Sequence, residues 1–478
     1  MAVLTKAISR RLLINGGSIF AGEGAARMTT FLVAVAVARS FGPGALGRYG
    51  FAVAVTSVLL LVPDAGLHLF IVRELAARPE GLRPVFWGVH WLKLPLLAVV
   101  VTFSVLFARI EIHEEGTRIL LYVLLLKVAL QTFSQASMAV FKAFERMHYI
   151  ALQQFVNAAF TTLWVGIALL LHSSLAIVVI ALVAGQALET CVGWGLVRKS
   201  FSPGGLCAWA PCSPGRMLVA GLPIGIAAIL QALNLRLDIL TLSPFTSSRE
   251  LGSYQAAAWF PVGCFIAASL MMTVLFPKLS RLLRNPGKCA DAYVQSVMQC
   301  GILLMTAGSI LAGLFAPNLL HILFGARLVL ASPALRILVV TFPFIFMNTA
   351  MFYIFVAAKK QSAYLAALLV GAIAGGALSI LLSATYGPNG TAVACVLREF
   401  CVSSVYLGFL ISGNLLRSAR TILGILACCG AGLMVLSLLL ADSTTVGVVW
   451  SIALIAAMSI IMRGRRLQEM LLFADDSL

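Results

Sequence analysis

Ten charged side chains stand inside stretches that are otherwise apolar: Glu23, Arg27, Asp64, Lys93, Lys127, Glu189, Arg236, Asp238, Arg398 and Glu399. A charge in hydrocarbon costs at least about 2.5 kcal/mol, so such groups pair with one another or face a water-filled cavity. Arginine can grip an oxyanion through two parallel hydrogen bonds, whereas lysine acts as a point charge. A carboxylate in the same setting serves as a counter-ion or exchanges a proton. Arg27 follows Glu23 by four residues and shares its helix face, so it either neutralises Glu23 or meets a ligand. Arg236 and Asp238 are two apart, point to different sides and do not cancel. Lys93 either faces a cavity or snorkels to the nearer interface. Glu189 reads as interfacial, and Arg398 with Glu399 as packing between helices.

The elements that carry these residues follow from composition. Of 478 residues, 61% are hydrophobic and 11% charged, with a mean hydropathy of +1.02. One soluble core cannot hide that much apolar surface, so much of it faces lipid. A span needs about 20 apolar residues, and fourteen such runs are expected. They lie near 12–37, 49–72, 85–108, 119–143, 149–171, 175–197, 217–242, 254–276, 294–315, 333–356, 363–384, 391–411, 422–440 and 446–462. The first run follows Lys6, Arg10 and Arg11 and imitates a signal peptide, but it carries Glu23 and Arg27 and is too long, so it reads as a span.

The formal charge of +17 lies mainly in the breaks between runs, which argues against nucleic acid as the partner. Ten cysteines and six histidines show no metal-ligand or redox spacing, and no nucleotide-binding loop is present. Neither a metal nor another cofactor is expected, and with no large loop to carry catalytic residues the chain does not read as an enzyme.

Alternate breaks differ in basic residues, as the positive-inside rule requires. One set holds Arg73, Arg78, Arg83, Lys142, Arg146, Arg198, Lys199, Lys278, Arg281, Lys359, Lys360, Arg417, Arg420 and Arg463. The other holds Arg39, Arg48, Arg109, Arg118, Arg249 and Arg327. Both termini are therefore expected on the cytoplasmic side. Leu46-Gly47-Arg48-Tyr49 opens the second run, and Leu251-Gly252-Ser253-Tyr254 opens the eighth. A six-helix unit used twice gives bundles at 1–213 and 214–415, then two helices and a tail at 416–478. Such repeats mark transporters, with the substrate site expected between the halves.

Further short segments carry a resemblance. They include Asp64-Ala65-Gly66-Leu67, Arg73-Glu74-Leu75-Ala76, Gly221-Leu222-Pro223 and Asn234-Leu235-Arg236-Leu237-Asp238. Phe276-Pro277-Lys278-Leu279-Ser280, Phe324-Gly325 and Tyr386-Gly387-Pro388-Asn389-Gly390 continue the series. In this order the chain resembles the polysaccharide flippases of the multidrug/oligosaccharidyl-lipid/polysaccharide exporter superfamily. The resemblance implies an all-α, twelve-helix transporter with two added helices in a bacterial inner membrane. It implies alternating access carrying an undecaprenyl-diphosphate-linked oligosaccharide from the inner to the outer leaflet, for O-antigen or capsule assembly. Membrane lipids, a polysaccharide polymerase and assembly proteins are the implied partners.

With that substrate, the candidate diphosphate ligands are Arg27, Arg236, Lys93 and Lys127. Glu23, Asp64 and Asp238 are candidates for coupling or for counter-ions, and Pro63 and Pro223 for hinges. A multidrug cation antiporter and a lipid II flippase of the same superfamily are the alternatives. The antiporter predicts an acidic cavity, which the abundance of deep bases disfavours. A membrane glycosyltransferase or polymerase is the remaining reading, from another class.

Overall fold

The computed structural model describes residues 2–78, 80, 82–112, 114–201, 214–283, 288–358 and 361–412. The two runs expected near 422–440 and 446–462, and the tail after them, lie outside the described residues. The described chain is helical throughout and contains no strand. Its helices are α1 (Ala2–Leu59), α2 (Leu61–Asp64), α3 (Leu67–Ala77), α4 (Leu82–Glu111), α5 (Glu115–Ala143), α6 (Met147–Leu170) and α7 (Leu175–Ser200). They continue as α8 (Pro214–Leu242), α9 (Ser248–Leu282), α10 (Lys288–Leu314), α11 (Ala316–Phe324), α12 (Ser332–Leu338), α13 (Phe342–Ala357) and α14 (Gln361–Ser412). Ten helical stretches among the described residues are long and apolar enough to cross a membrane. The chain is a multi-pass membrane protein.

Two of those stretches each carry two of the expected runs. The joints that looked like loops are helical up to a single break, and both breaks are Gly-Pro dipeptides. Gly42 (φ 83°, ψ −177°) precedes Pro43 inside α1, and Gly387 (φ 59°, ψ −137°) precedes Pro388 inside α14. Glycine alone enters that region without strain, and proline removes the donor that would continue the ladder. Elsewhere local chemistry sets the ends. Ser247 caps α9 by accepting from the Glu250 amide, while the Glu250 carboxylate accepts from the Ser247 amide.

The run expected at 333–356 is not one helix. It divides into α12 and α13 around a short 3-10 turn at Val339–Thr341. Pro343, in the first turn of α13, has no N–H for the carbonyl of Val339 four residues earlier. The buried hydroxyl of Ser309 on α10 donates to that carbonyl at 2.6 Å. The helix is interrupted without stranding a polar group in an apolar interior.

The helices form two compact units, Met1–Arg236 and Leu237–Leu478, with the boundary inside α8. In the first unit α1 packs on α5 and α6, and α7 packs on both of those. Leu67, Ile71 and Leu75, spaced by four along α3, bury against Val85 and Val89 of α4 and Ala136, Ala139 and Val140 of α5. In the second unit α13 is packed by α9, α10 and α14. The two copies of the repeated tetrapeptide have the same burial: Leu46, Gly47 and Tyr49 are buried in one unit, and Leu251, Gly252 and Tyr254 in the other.

The Val339 carbonyl also accepts from the Phe342 amide, so Ser309→Ala should remove one of its two donors and cost about 0.5–1.5 kcal/mol, the net worth of one hydrogen bond. Thermal unfolding of the detergent-purified protein measures the loss. Adding Pro343→Ala, which restores the missing N–H, should recover part of it; a double variant no more stable than Ser309→Ala would contradict this account of the break.

Candidate functional site

Asp64 ends α2, and the chain then turns through two left-handed residues, Ala65 (φ 42°) and Gly66 (φ 77°), before α3 begins. Gly66 is required twice over. A Cβ there would take up a strained φ and would also lie 2.3 Å from the carbonyl oxygen of Gly221 on α8. Pro63, expected as a hinge, is buried just before this turn. Pro223, the other expected hinge, lies within α8, and its side chain is outside the described residues.

The turn presents the Asp64 carboxylate to two helices. One oxygen accepts from Lys93 Nζ of α4 at 2.9 Å, and the other bonds His68 Nδ1 one turn into α3. Lys93 Nζ also donates to the carbonyl of Thr132 on α5 at 3.0 Å. Lys93 is 0% and Asp64 2% exposed. The lysine does not snorkel to an interface. It is committed to a buried ion pair that ties α2, α3, α4 and α5 together.

Lys127 is placed differently. It lines an open cavity of about 470 Å³ in the first unit, bordered by α1, α2, α3, α5, α6 and α7. Among the described residues it makes no direct ion pair, although Glu189 is near enough to act on it electrostatically. Glu189, which read as interfacial, is buried on α7 and lines the same cavity. Its carboxylate accepts from Ser134 Oγ at 2.7 Å and from Asn157 Nδ2 at 2.5 Å, and Asn157 in turn accepts from Thr161 at 3.0 Å. Those bonds hold the carboxylate in place without neutralising Lys127. The rest of the wall is polar for an intramembrane surface. It includes Thr29, Tyr49, Thr56, Gln131, Gln135, Gln154 and Gln186, with Asp64 and His68 at one side and Lys142 at the end of α5.

The remaining sequence candidates fall elsewhere. Glu23 and Arg27 are exposed on α1, form no ion pair with each other and do not line the cavity, though Ala26, Thr29 and Thr30 beside them do. Arg236 is half-buried on α8 and acts electrostatically on Tyr49. In the second unit, Asp238 accepts from Tyr254 Oη at 3.0 Å. Nearby, Arg398 pairs with Glu399 at 2.9 Å, and Glu399 accepts from Asn348 Nδ2 at 2.8 Å. Tyr254 is fully buried and holds that carboxylate. The structure thus brings Lys127 and Asp64 to the cavity wall with Lys93 paired to Asp64, while Glu23 and Arg27 do not line it, Arg236 acts on its Tyr49, and Asp238 belongs to the second unit.

Sequence reasoning missed Glu189, Gln131 and Asn157. One signal was available: Lys127, Gln131, Gln135 and Lys142 recur at helical spacing in an otherwise apolar run.

The described residues form a multi-pass helical bundle with a lysine-bearing cavity, and solved structures share its fold. The chain is similar to the lipid II flippase MurJ in an inward closed conformation, with a TM-score of 0.70 at 14% identity over 93% of this chain and 98% of that one. It is similar to an inward-facing multidrug resistance MATE family transporter of the MOP superfamily, with a TM-score of 0.63 at 14% identity over 84% and 99%. A superfamily transporter from Pyrococcus furiosus gives a TM-score of 0.57 at 14% identity over 86% and 96%. At such identities the likeness establishes the fold. A sequence comparison with curated proteins finds no match. The family profile described as polysaccharide biosynthesis protein matches residues 12–283, more than half of the 478, and the chain belongs to that family.

Removing one partner of the buried Asp64–Lys93 pair should be severe. Lys93→Met alone is expected to cost about 3–5 kcal/mol, because it leaves a carboxylate buried without its cation. Lys93→Met combined with Asp64→Leu should regain most of that. Thermal midpoints of the purified single and double variants check this, and equal losses in the two would show that the pair is not the source of the penalty.

Proposed function

We propose that the chain carries a polyprenyl-diphosphate-linked oligosaccharide from the inner to the outer leaflet of a bacterial inner membrane by alternating access, for O-antigen or capsule assembly. The observation that carries this reading is the cavity of the first unit, where Lys127 faces polar space without a direct ion pair. A diphosphate brings several charged acceptor oxygens, and an ammonium held in a low-dielectric setting attracts them strongly. Membership of a polysaccharide biosynthesis family supports a glycan as the cargo. Arg27 and Arg236 contribute as further cations on the route, and Glu23, Asp64 and Asp238 as counter-ions or coupling groups. Both termini lie in the cytoplasm in this reading. The halves at 1–213 and 214–415 move against each other, with Pro63 and Pro223 as bends. A polymerase and assembly proteins receive the cargo.

A lipid II cargo is the second reading, favoured by the likeness to a lipid II flippase across 93% of the chain. It shares the diphosphate and differs in the glycan. A multidrug antiporter is disfavoured because the cavity carries no excess of acid: Lys93 already neutralises Asp64, which leaves Lys127 and Lys142 against Glu189.

Deleting the gene in its native host should leave completed lipid-linked repeat units on the cytoplasmic leaflet. A complementing Lys127→Ala copy, expressed at normal level, should restore surface glycan about ten- to a hundredfold less well than the unaltered gene, as expected for losing one charge-assisted contact. Leaflet-specific labelling of the lipid-linked glycan reads both. Normal surface glycan in the deletion strain, with altered drug tolerance, would reject the reading in favour of the antiporter.

A further inference from the structure

One face of α5 lines the cavity from end to end. Lys127, Gln131, Gln135 and Lys142 all border it, and their spacing of roughly four residues or its multiple keeps them on one stripe. At about 1.5 Å per residue the stripe runs some 22 Å, with a lysine at each end and two amides between. Most polar groups around it hold helices together. Ser134 bonds Glu189, Ser137 bonds Gln153, and Thr190 bonds the carbonyl of Leu130. The two glutamines do not, and Gln154 Oε1 and Gln186 Nε2, which also border the cavity, are likewise buried without a partner. Among the described residues Gln131 makes no hydrogen bond, and the carbonyl oxygen of Gln135 is buried without a partner. Polar side chains at membrane depth are costly, and two that bond neither helix nor carboxylate call for an occupant that bonds them.

An amide presents a donor and an acceptor in one plane. Neighbouring hydroxyls of a pyranose ring meet that pattern, whereas a diphosphate, which only accepts, uses half of it. Gln131 lies one turn, about 5.4 Å, from Lys127, and Gln135 a second turn on. A diphosphate on Lys127 therefore sets the sugar attached to it beside the first amide. The cavity of about 470 Å³ is sized for a small polar group rather than a whole repeat unit.

We propose that Gln131 and Gln135 of α5 recognise the sugar joined directly to the diphosphate, so that this wall sets which lipid-linked glycan is admitted. The inference rests on the proposed function, and it goes further in assigning sugar selection to two uncharged residues.

The test uses the full-length protein in detergent and two kinds of probe: farnesyl diphosphate, and farnesyl diphosphate bearing one N-acetylglucosamine, galactose or glucose. The readout is the ratio of affinities, sugar-bearing to sugar-free, from tryptophan fluorescence titration. For the unaltered protein at least one sugar should bind about tenfold more tightly than the sugar-free probe. In Gln131→Leu/Gln135→Leu that ratio should fall to about one. In Lys127→Ala both probes should weaken while the ratio persists. Should the double variant fail to fold by circular dichroism and thermal unfolding, Gln135→Met alone should lower the ratio. A ratio near one for every sugar in the unaltered protein, or one preserved in the glutamine variants, overturns the sugar assignment while leaving a diphosphate carrier intact. Binding of neither probe overturns the carrier reading itself.

Discussion

The architecture of the first unit depends on a buried ion pair at the wall of its cavity. Asp64 and Lys93 are almost wholly out of solvent, and each is bearable there only because the other is present. Thr132 and His68 take up further hydrogen-bonding capacity, so the pair becomes a four-helix joint. Two left-handed residues follow Asp64, and the second must be glycine because the backbone of α8 passes against it. A carboxylate at that point fixes where α2 ends, how α3 departs and which faces of α4 and α5 turn inward.

Once Lys93 is committed to that joint, the two lysines of the first unit that looked equivalent in sequence have different characters. Lys93 is structural, and Lys127 one helix away faces polar space. Glu189 sharpens the difference, since its oxygens are held by Ser134 and Asn157 while its field still reaches Lys127. The same economy governs the second unit. Ser309 answers the carbonyl that Pro343 leaves open, Tyr254 holds Asp238, and Asn348 bonds the carboxylate paired with Arg398. In an apolar bundle interior each break or charge needs a specific partner, and these partners link the helices.

Much of the fold was legible in the linear chain because hydrocarbon imposes a simple rule. A span must be long and apolar, so runs such as 119–143 and 175–197 reappear almost unchanged as α5 and α7. Breaks are harder to read, since a Gly-Pro pair can end a helix or merely kink it. Gly42-Pro43 and Gly387-Pro388 leave their flanks helical, whereas the expected span that carries Pro343 divides at a 3-10 turn, where Ser309 donates to the Val339 carbonyl. Of the candidate site, the choice of residue types was legible and their company was not. Glu23 and Arg27 have the spacing of a pair and do not make one, while Asp64 and Lys93, 29 residues apart, do.

What the sequence determined by itself was therefore the class and the chemical inventory. Composition and apolar run length require a multi-pass helical bundle, and charges within those runs require partners or a cavity, whatever the packing. Only the tertiary structure decided which charges neutralise each other and which border the cavity. That outcome turns on distances of a few ångströms between helices far apart in the chain. Coulomb attraction and desolvation both change steeply over such distances, and no pattern along a single helix encodes them.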